Sequence, residues 1–289
     1  MSGNQKDVGD DAPSLHHDRP NWWVHGLLTI AAMISVFPLL RILGVSLRPG
    51  DKIFSTELEL LPESPTIANY VEVLTDTNFF LWLFNSLVIT GLTALIGVCL
   101  AATAAYALSR YKFPGRATML IFLMATQMMP AVVLLLPLYF MLQKMQLINS
   151  YAGVIVAYCV TTLPFTIWLL KGYFDTVPRS LEEAAQVDGL TEIGSFWRIV
   201  LPLSTPSLAI AALFCVTQAW NEYIVARVVL QSSELYTWPM GLFELQGEFD
   251  TRWGLFAAAS VLVTIPVVAV FLYSSKWLLS GLTLGGVKG

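Results

Sequence analysis

Charged residues are scarce in this chain. Of its 289 residues only 12% are Asp, Glu, Lys or Arg, and 56% are hydrophobic, whereas soluble domains carry roughly 25% charged residues. This shortage excludes an ordinary soluble domain. A helix needs about 20 apolar residues to cross a bilayer core about 30 Å thick, so the chain has room for about six spans. We therefore predict an all-α, polytopic membrane protein with about six transmembrane helices.

Residues for the common kinds of site chemistry are also few. The chain has three cysteines, which stand singly in apolar segments without CxxC spacing, so neither a disulfide framework nor a zinc site is predicted. The spans contain no Ser/His/Asp, paired-carboxylate or metal-ligand pattern, and we predict no catalytic residue, no metal site and no enzyme activity. Basic residues are scattered instead of forming a stripe, which argues against nucleic-acid binding.

The apolar runs divide the chain into a short tail and one membrane domain. Residues 1–21 are polar and acidic and are expected to form a disordered cytoplasmic tail, while residues 22–289 form the transmembrane domain. A polar stretch at 48–78 indicates an exposed loop with short helical pieces. We predict spans at about 22–40, 79–108, 117–142, 151–170, 206–230 and 254–273, with Pro130 and Pro137 kinking the third.

Lysine and arginine indicate the orientation of these spans. With the N-terminus inside, ten Lys and Arg residues fall on the cytoplasmic side and six on the other. Because cytoplasmic segments are enriched in these residues, we predict that both termini and the polar loop at 171–203 are cytoplasmic. The plasma (inner) membrane is the expected location.

The 171–203 loop has the pattern of two short helices. Ser180 is placed to cap the first helix, with Glu183 reaching back as in a capping box, and Gly189 is placed to end it. Four apolar residues recur at helical spacing in the second and are expected to form one face, which Pro202 closes; they are Ile193, Phe196, Trp197 and Val200. Taken alone, this pattern also fits an amphipathic connector on the membrane surface.

A longer pattern in the same loop resembles a known family. Seven residues over twenty positions match the "EAA" coupling loop of importer permeases of the ATP-binding cassette (ABC) family: Glu183, Ala184, Ala185, Gly189, Ile199, Leu201 and Pro202. The resemblance implies that the loop docks in a cleft of an ATPase subunit and carries its movement to the membrane helices. Glu183 and Gly189 are the positions expected to matter most.

The C-terminal run narrows the resemblance to carbohydrate importers. Gly281 to Gly289 resembles the end of a permease subunit of the maltose and maltodextrin importer. The Tyr111–Gly115 turn and the Leu181–Gly189 run also resemble parts of that subunit. The resemblance implies that the tail residues Gly285, Gly286, Val287, Lys288 and Gly289 reach into the ATPase dimer. A flexible glycine-rich terminus is the alternative reading of that tail.

The family resemblance also implies which partners the chain has. The chain has no G-x-x-x-x-G-K-[ST] phosphate loop, so no cofactor is predicted in it and ATP would be bound by a separate ATPase. The expected partners are a second permease subunit, an ATPase dimer, an extracytoplasmic sugar-binding protein and membrane lipid.

Three polar residues in the fifth apolar run form a candidate sugar path. Gln218, Asn221 and Glu222 are spaced to share one helix face, and an ionised carboxylate at bilayer depth costs roughly 2.5–3.5 kcal/mol unless it faces protein or water. Hydrogen bonding between helices is the alternative role. Gln127 is a weaker candidate of the same kind.

Two other functions stay open at this point. An importer of trehalose or another solute would share the same features. An ion- or proton-coupled secondary carrier would usually carry more intramembrane charges than Glu222 and repeated halves.

Overall fold

The computed structural model describes residues 22–49, 62–247 and 251–286, with the side chains of 131 and 276–286 excepted. Within these residues the fold is helical, and its only β-like feature is an isolated bridge between Gln246 and Thr251. The described residues up to Arg41 belong to one unit and those from Ile42 onward to a second. The predicted all-α class is confirmed. The predicted disordered tail at 1–21 lies outside the described residues.

Thirteen α-helices follow one another in the described part of the chain. They are α1 (Trp22–Ser46), α2 (Ala68–Asp76), α3 (Phe79–Arg110), α4 (Arg116–Gln127), α5 (Ala131–Lys144), α6 (Tyr151–Phe174), α7 (Arg179–Val187), α8 (Glu192–Ser195), α9 (Leu201–Leu203), α10 (Thr205–Asn221), α11 (Ile224–Val229), α12 (Trp238–Glu244) and α13 (Trp253–Gly286). A π-helical turn at Phe196–Val200 joins α8 to α9, and a 3₁₀ turn at Ser233–Leu235 precedes α12.

Four of the described helices are long and apolar enough to cross a membrane. They are α1, α3, α6 and α13 up to Ser275. Two bent pairs of segments are also long and apolar enough when each pair counts as one span, which brings the number up to six. They are α4 with residues 132–144, and residues 192–203 with α10. The expectation of about six spans agrees with this arrangement.

Helices α3 and α6 form the centre of the second unit. One face of α3 carries Ala101, Ala102 and Ala105, all buried, and small residues let membrane helices approach closely. On the α6 side, Leu170 and Phe174 are fully buried in the same cluster. A second cluster at the other end of these helices includes Trp82, Ile89, Tyr158 and Met240.

The predicted third span is broken instead of kinked. Helix α4 ends at Gln127, and its axis makes an angle of 107° with that of residues 132–144. Pro130 has φ −57° and ψ 130° at the N-cap of α5. Because a proline disfavours the α conformation of the residue before it, the helix stops ahead of Pro130. Pro137 lies inside α5.

Four other predicted boundaries differ from the structure by more than two residues. The first span ends at Ser46 instead of near 40. The fifth span ends at Asn221 instead of near 230, and residues 224–229 form the separate helix α11. Helix α6 continues through Lys171 to Phe174, so the polar loop begins four residues later than predicted. The last helix extends to Gly286, beyond the predicted end near 273.

Candidate functional site

The 171–203 loop contains a helix, a glycine turn and a second helical segment. Gly189 follows α7 with φ +93°, a value that favours glycine because it has no Cβ. Its N–H donates to the Gln186 carbonyl at 3.0 Å, and the Leu190 N–H donates to the Ala185 carbonyl at 2.9 Å. These two bonds form a Schellman motif. The prediction that Gly189 ends the first helix is therefore confirmed.

The start of α7 differs from the predicted capping box. The helix begins at Arg179, and its N-cap residue is Pro178, which has no side-chain acceptor for the first-turn N–H groups. Ser180 lies inside the first turn, where its backbone is already helical, so the predicted pairing of Ser180 with Glu183 does not form.

The apolar face of the second segment is divided between two environments. Phe196 and Val200 are buried, whereas Ile193 is 70% and Trp197 is 60% exposed. The predicted single face is therefore divided: its inner half packs against the protein, and its outer half is exposed. Phe196 packs on Tyr106 of α3, with ring centroids 4.6 Å apart. The outer half, together with Val187 at 88% exposure, leaves bulky apolar side chains available to another molecule.

Pro202 does not end the second segment, which stays helical through Leu203. The Leu201 N–H bonds to the Phe196 carbonyl, five residues earlier. In a regular α-helix the proline ring would clash with the carbonyl four residues before it, and the wider π turn relieves this crowding. The chain bends at Ser204 instead, where the segment and α10 meet at 79°.

A buried ion pair fastens the loop to the end of α3. Arg110 Nε lies 2.6 Å from Glu182 Oε1, and the two side chains are 8% and 7% exposed. The Tyr106 hydroxyl donates to Glu182 Oε2 at 2.7 Å, and Arg110 also donates to the Val177 carbonyl at 3.1 Å. Removing one partner of such a buried pair costs about 3–5 kcal/mol. Sequence reasoning missed Glu182; its four-residue spacing from Pro178 and its position beside Glu183 carry no signal of burial.

Further hydrogen bonds extend this network to α6. Ser109 Oγ donates to Asp175 Oδ1 at 2.6 Å, and Lys171 forms an ion pair with the same carboxylate. Burial raises the pKa of Asp175, but the bonds from Lys171 and Ser109 lower it, and the net pKa lies below its ordinary value. The ends of α3, α6 and α7 are thereby joined.

A separate contact joins the start of α8 to the residue that follows α3. The Tyr111 hydroxyl donates to Glu192 Oε2 at 2.7 Å. This bond raises the pKa of Tyr111, because the phenol must stay protonated to donate.

The seven motif residues differ in exposure. Ala185 is buried, Ile199 and Leu201 are half-buried, and the exposed members are Glu183, Ala184, Gly189 and Pro202. Glu183 lines an open cleft of about 220 Å³ at the base of α7, together with Arg110, Arg179 and Gln186. The motif carboxylate therefore faces outward, and the buried neighbour Glu182 holds the loop in place.

Only part of the predicted C-terminal tail lies within the described residues. Gly285 and Gly286 are the last residues of α13. Val287, Lys288 and Gly289 lie outside the described residues.

The residues of the candidate sugar path lie at the end of α10. Gln218 and Asn221 are exposed, and the Asn221 amide donates to the Thr217 carbonyl of its own helix at 2.8 Å. Glu222 is outside the helix with ψ 122°, so it does not share the predicted face. Its carboxylate accepts the Val225 and Ala226 N–H groups at 2.9 and 3.2 Å, which caps α11.

The aromatic residues near this site, and the separate candidate Gln127 at the end of α4, make contacts within the protein. Trp220 is buried and lies against Trp238, and Tyr223 is half-buried beside the exposed Phe243, with ring centroids 6.0 and 5.1 Å apart. Gln127 donates to the Thr161 carbonyl of α6 at 2.9 Å. Gln127 thus makes a contact between helices.

Comparison with known proteins identifies the family. A model of the family described as "binding-protein-dependent transport system inner membrane component" matches residues 96–282, which include the whole polar loop. The chain belongs to this family. It is therefore a transport permease component of a kind found in the inner membrane.

Relatives of this permease component cover nearly its whole length. The sulfoquinovosyl glycerol transport system permease protein SmoH of Agrobacterium fabrum is 34% identical, with 90% of this chain and 92% of that protein covered. The maltose/maltodextrin transport system permease protein MalG of Salmonella typhimurium is 39% identical, with 91% and 94% covered.

A solved structure shares the fold of this permease component. It is the crystal structure of a bacterial ABC transporter involved in the import of the acidic polysaccharide alginate, matched with a TM-score of 0.78 at 24% identity, over 89% of this chain and 95% of that one. At this level of identity the match establishes the fold.

Proposed function

We propose that this chain is one of two pore-forming permease subunits of an ATP-driven ABC importer, and that the importer carries maltose or maltodextrins across the plasma membrane. Its partners would be a second permease, an ATPase dimer that binds the ATP, and an extracytoplasmic sugar-binding protein. The proposal is supported by the 39% identity to a maltose/maltodextrin permease over most of both chains and by the binding-protein-dependent family. On this proposal the polar loop and both termini are cytoplasmic.

The observation that carries the proposal is the two-sided build of the loop. One side is held to α3 through Glu182 and Phe196. The other side presents Glu183, Ile193 and Trp197 outward. A loop that only connected two spans would need neither a buried ion pair on its inner side nor an exposed apolar and acidic surface on its outer side. A loop that docks on an ATPase uses the first to stay attached to the membrane helices and the second to bind its partner.

In the proposed cycle the chain supplies the path and the coupling. ATP binding closes the ATPase dimer, the docked loop follows that movement, and the pore changes from inward to outward facing. Gln218 and Asn221 are proposed to contact sugar hydroxyls, with Glu222 placing the start of α11 beside them. The tail from Gly285 to Gly289 is proposed to contact the ATPase dimer.

The proposal is tested by isolating and reconstituting the complex. The chain, tagged and purified in mild detergent, should bring an ATPase and a second permease in fixed ratio. In proteoliposomes, binding protein loaded with maltose or maltotriose should stimulate ATP hydrolysis and uptake. Stimulation by trehalose or another sugar alone would overturn the maltose assignment. Recovery of the chain alone, active in ion-driven uptake, would overturn the ABC importer.

A further inference from the structure

Helix α3 is attached to other segments at both of its ends. At one end, Arg110 and Tyr106 hold the buried carboxylate of Glu182 in α7. With 32 residues the helix is about 48 Å long. This length exceeds the apolar core of a bilayer, about 30 Å, so the helix is long enough to reach from the 171–203 loop to the other side of a membrane.

The other end of α3 is bound to residues 233–244, which contain α12 and are called the α12 segment. Asn85 is fully buried, and its amide donates to the Glu234 and Tyr236 carbonyls, both at 2.9 Å. Ser86 Oγ accepts the Trp238 N–H at 2.8 Å. Trp82 lies so close to Gly241 that a Cβ on that glycine would be 2.0 Å from the indole.

These attachments differ in kind from ordinary helix packing. Apolar packing between membrane helices gains little from the hydrophobic effect, because lipid tails are as apolar as the packed side chains. A buried carboxylate with two directional partners, and a buried amide with two carbonyl partners, each have one low-energy arrangement. Sliding of α3 at either end would leave a buried polar group without its partners, so displacement of the loop is passed along the helix.

We propose that Arg110 and Glu182 are positioning residues that make α3 and the coupling loop move as one body, so that α3 carries ATPase movement to the α12 segment. This inference rests on the proposed importer function. It assigns a role to Glu182, which lies outside the seven-residue motif. It also separates the docking surface, which includes Glu183, from the link that transmits the movement.

The first test measures solute transported per ATP hydrolysed by the full complex in proteoliposomes. Glu182→Gln removes the charge, and the double variant Arg110→Met with Glu182→Met replaces the pair by apolar side chains. Such replacement keeps a protein folded, because no buried charge is left without a partner. The double variant should assemble with its partners as the unmodified chain does, yet transport at least about fivefold less solute per ATP, within the usual range of coupling between sites.

The matched control is Glu72→Gln. Glu72 of α2 pairs with Arg252 in an ion pair that is 30% and 46% exposed and lies outside this network. Its loss should leave the ratio of transport to hydrolysis unchanged. A merely structural role of the buried pair would lower transport and hydrolysis together, in proportion to the amount of assembled complex.

A second experiment measures a distance between α3 and α7 while Arg110 and Glu182 are left unchanged. Spin labels at Lys112→Cys and Asp188→Cys, both exposed positions, report the distance between the end of α3 and the end of α7. The exposed native cysteine is removed by Cys99→Ser. The same distance is expected in the nucleotide-free and ATP-bound complexes, with labels on the ATPase dimer verifying its closure.

A shift of the label distance between the two states would overturn the proposal, as would a double variant with the normal transport ratio. A complex of the unmodified chain that shows no ATP-driven uptake would overturn both the proposed function and this link. A working complex beside an unaffected double variant would overturn the link alone.

Discussion

Glu182 and Glu183 are adjacent in the sequence and lie on different sides of α7. Glu182 is 5% exposed and pairs with Arg110, whereas Glu183 is exposed. Successive helical residues point about 100° apart, so the two carboxylates face different surroundings. Glu182 attaches the loop to α3 through its ion pair with Arg110, and Glu183 stays accessible to a partner.

The first prediction concerns the outward acid. Glu183→Lys should abolish uptake while membrane insertion stays normal, because the side chain is exposed and surface changes usually shift stability by only about 0.5 kcal/mol. Uptake by whole cells and the amount of chain in the membrane fraction measure the two effects. Asp76→Lys, the same charge change at the exposed end of α2, is the control and should transport normally. Surviving uptake in Glu183→Lys would show that this acid has no part in coupling.

The second prediction concerns the turn after α7. Gly189→Ala should destabilise the loop by about 1–2 kcal/mol, which is the cost of a left-handed conformation for a residue with a Cβ. An added Cβ meets nothing within 4 Å, so no steric clash contributes to this cost. Gly189→Asn should cost less, because asparagine tolerates this conformation better. Thermal unfolding of the purified complex measures the order.

The control for this turn is Gly172→Ala. Gly172 lies inside α6 and its added Cβ also meets nothing within 4 Å, so alanine should stabilise by up to about 1 kcal/mol through helix propensity. Equal effects at both glycines would contradict the role of the positive φ.

The third prediction concerns the contact of α12 with α3. Gly241→Ala should lower the yield of folded protein, because its Cβ would lie 2.0 Å from the Trp82 indole and overpacking typically costs about 1–3 kcal/mol. Size-exclusion chromatography in detergent measures the folded fraction. Gly91→Ala in α3, where a Cβ meets nothing within 4 Å, is the control. A normal yield from Gly241→Ala would mean that the indole moves aside at little cost.

The fourth prediction concerns the pH dependence of stability. The lowered pKa of Asp175 means that its bonds to Ser109 and Lys171 stabilise the fold above the ordinary carboxyl pKa of about 4 and are lost as pH falls through the folded value. Asp175→Asn should therefore lower the melting temperature by a constant amount between pH 5 and 7. The difference from the unmodified chain should shrink below about pH 4. A difference that grew on acidification would have the wrong sign for this carboxylate.

The fifth prediction concerns the sugar path. Gln218→Ala and Asn221→Ala should each lower uptake about threefold to tenfold, because one hydrogen bond is worth about 0.5–1.5 kcal/mol. Sugar uptake by reconstituted complex at matched assembly provides the measurement. Thr103→Ala is the control, since this exposed hydroxyl bonds only to carbonyls of its own helix. An unchanged uptake in both variants would exclude these amides from the path.

Local sequence patterns predicted the regular parts of the membrane domain well. The apolar runs predicted α3, α6 and the start of α13, because length and hydropathy alone determine what can cross a bilayer. Gly189 was predicted to end α7, since the requirement for a positive φ is local to that residue.

The breaks and the division of faces could not be predicted from such patterns. Helix α10 ends at Asn221 because Glu222 turns its carboxylate to the N–H groups of Val225 and Ala226. Phe196 and Trp197 are both aromatic, but Phe196 is buried against Tyr106 of α3, whereas Trp197 is 60% exposed. Each outcome depends on a neighbour that hydropathy does not describe.

The sequence by itself determined the class of the protein, the order of its apolar segments and the seven-residue motif of the 171–203 loop. These properties follow from composition and short-range spacing, which every conformation of the chain shares. Only the tertiary structure decided that Glu182 is buried against Arg110 and that Glu183 faces outward. The two partners of that ion pair are 72 residues apart in the chain, and a contact over such a separation exists only once α3 and α7 have packed together.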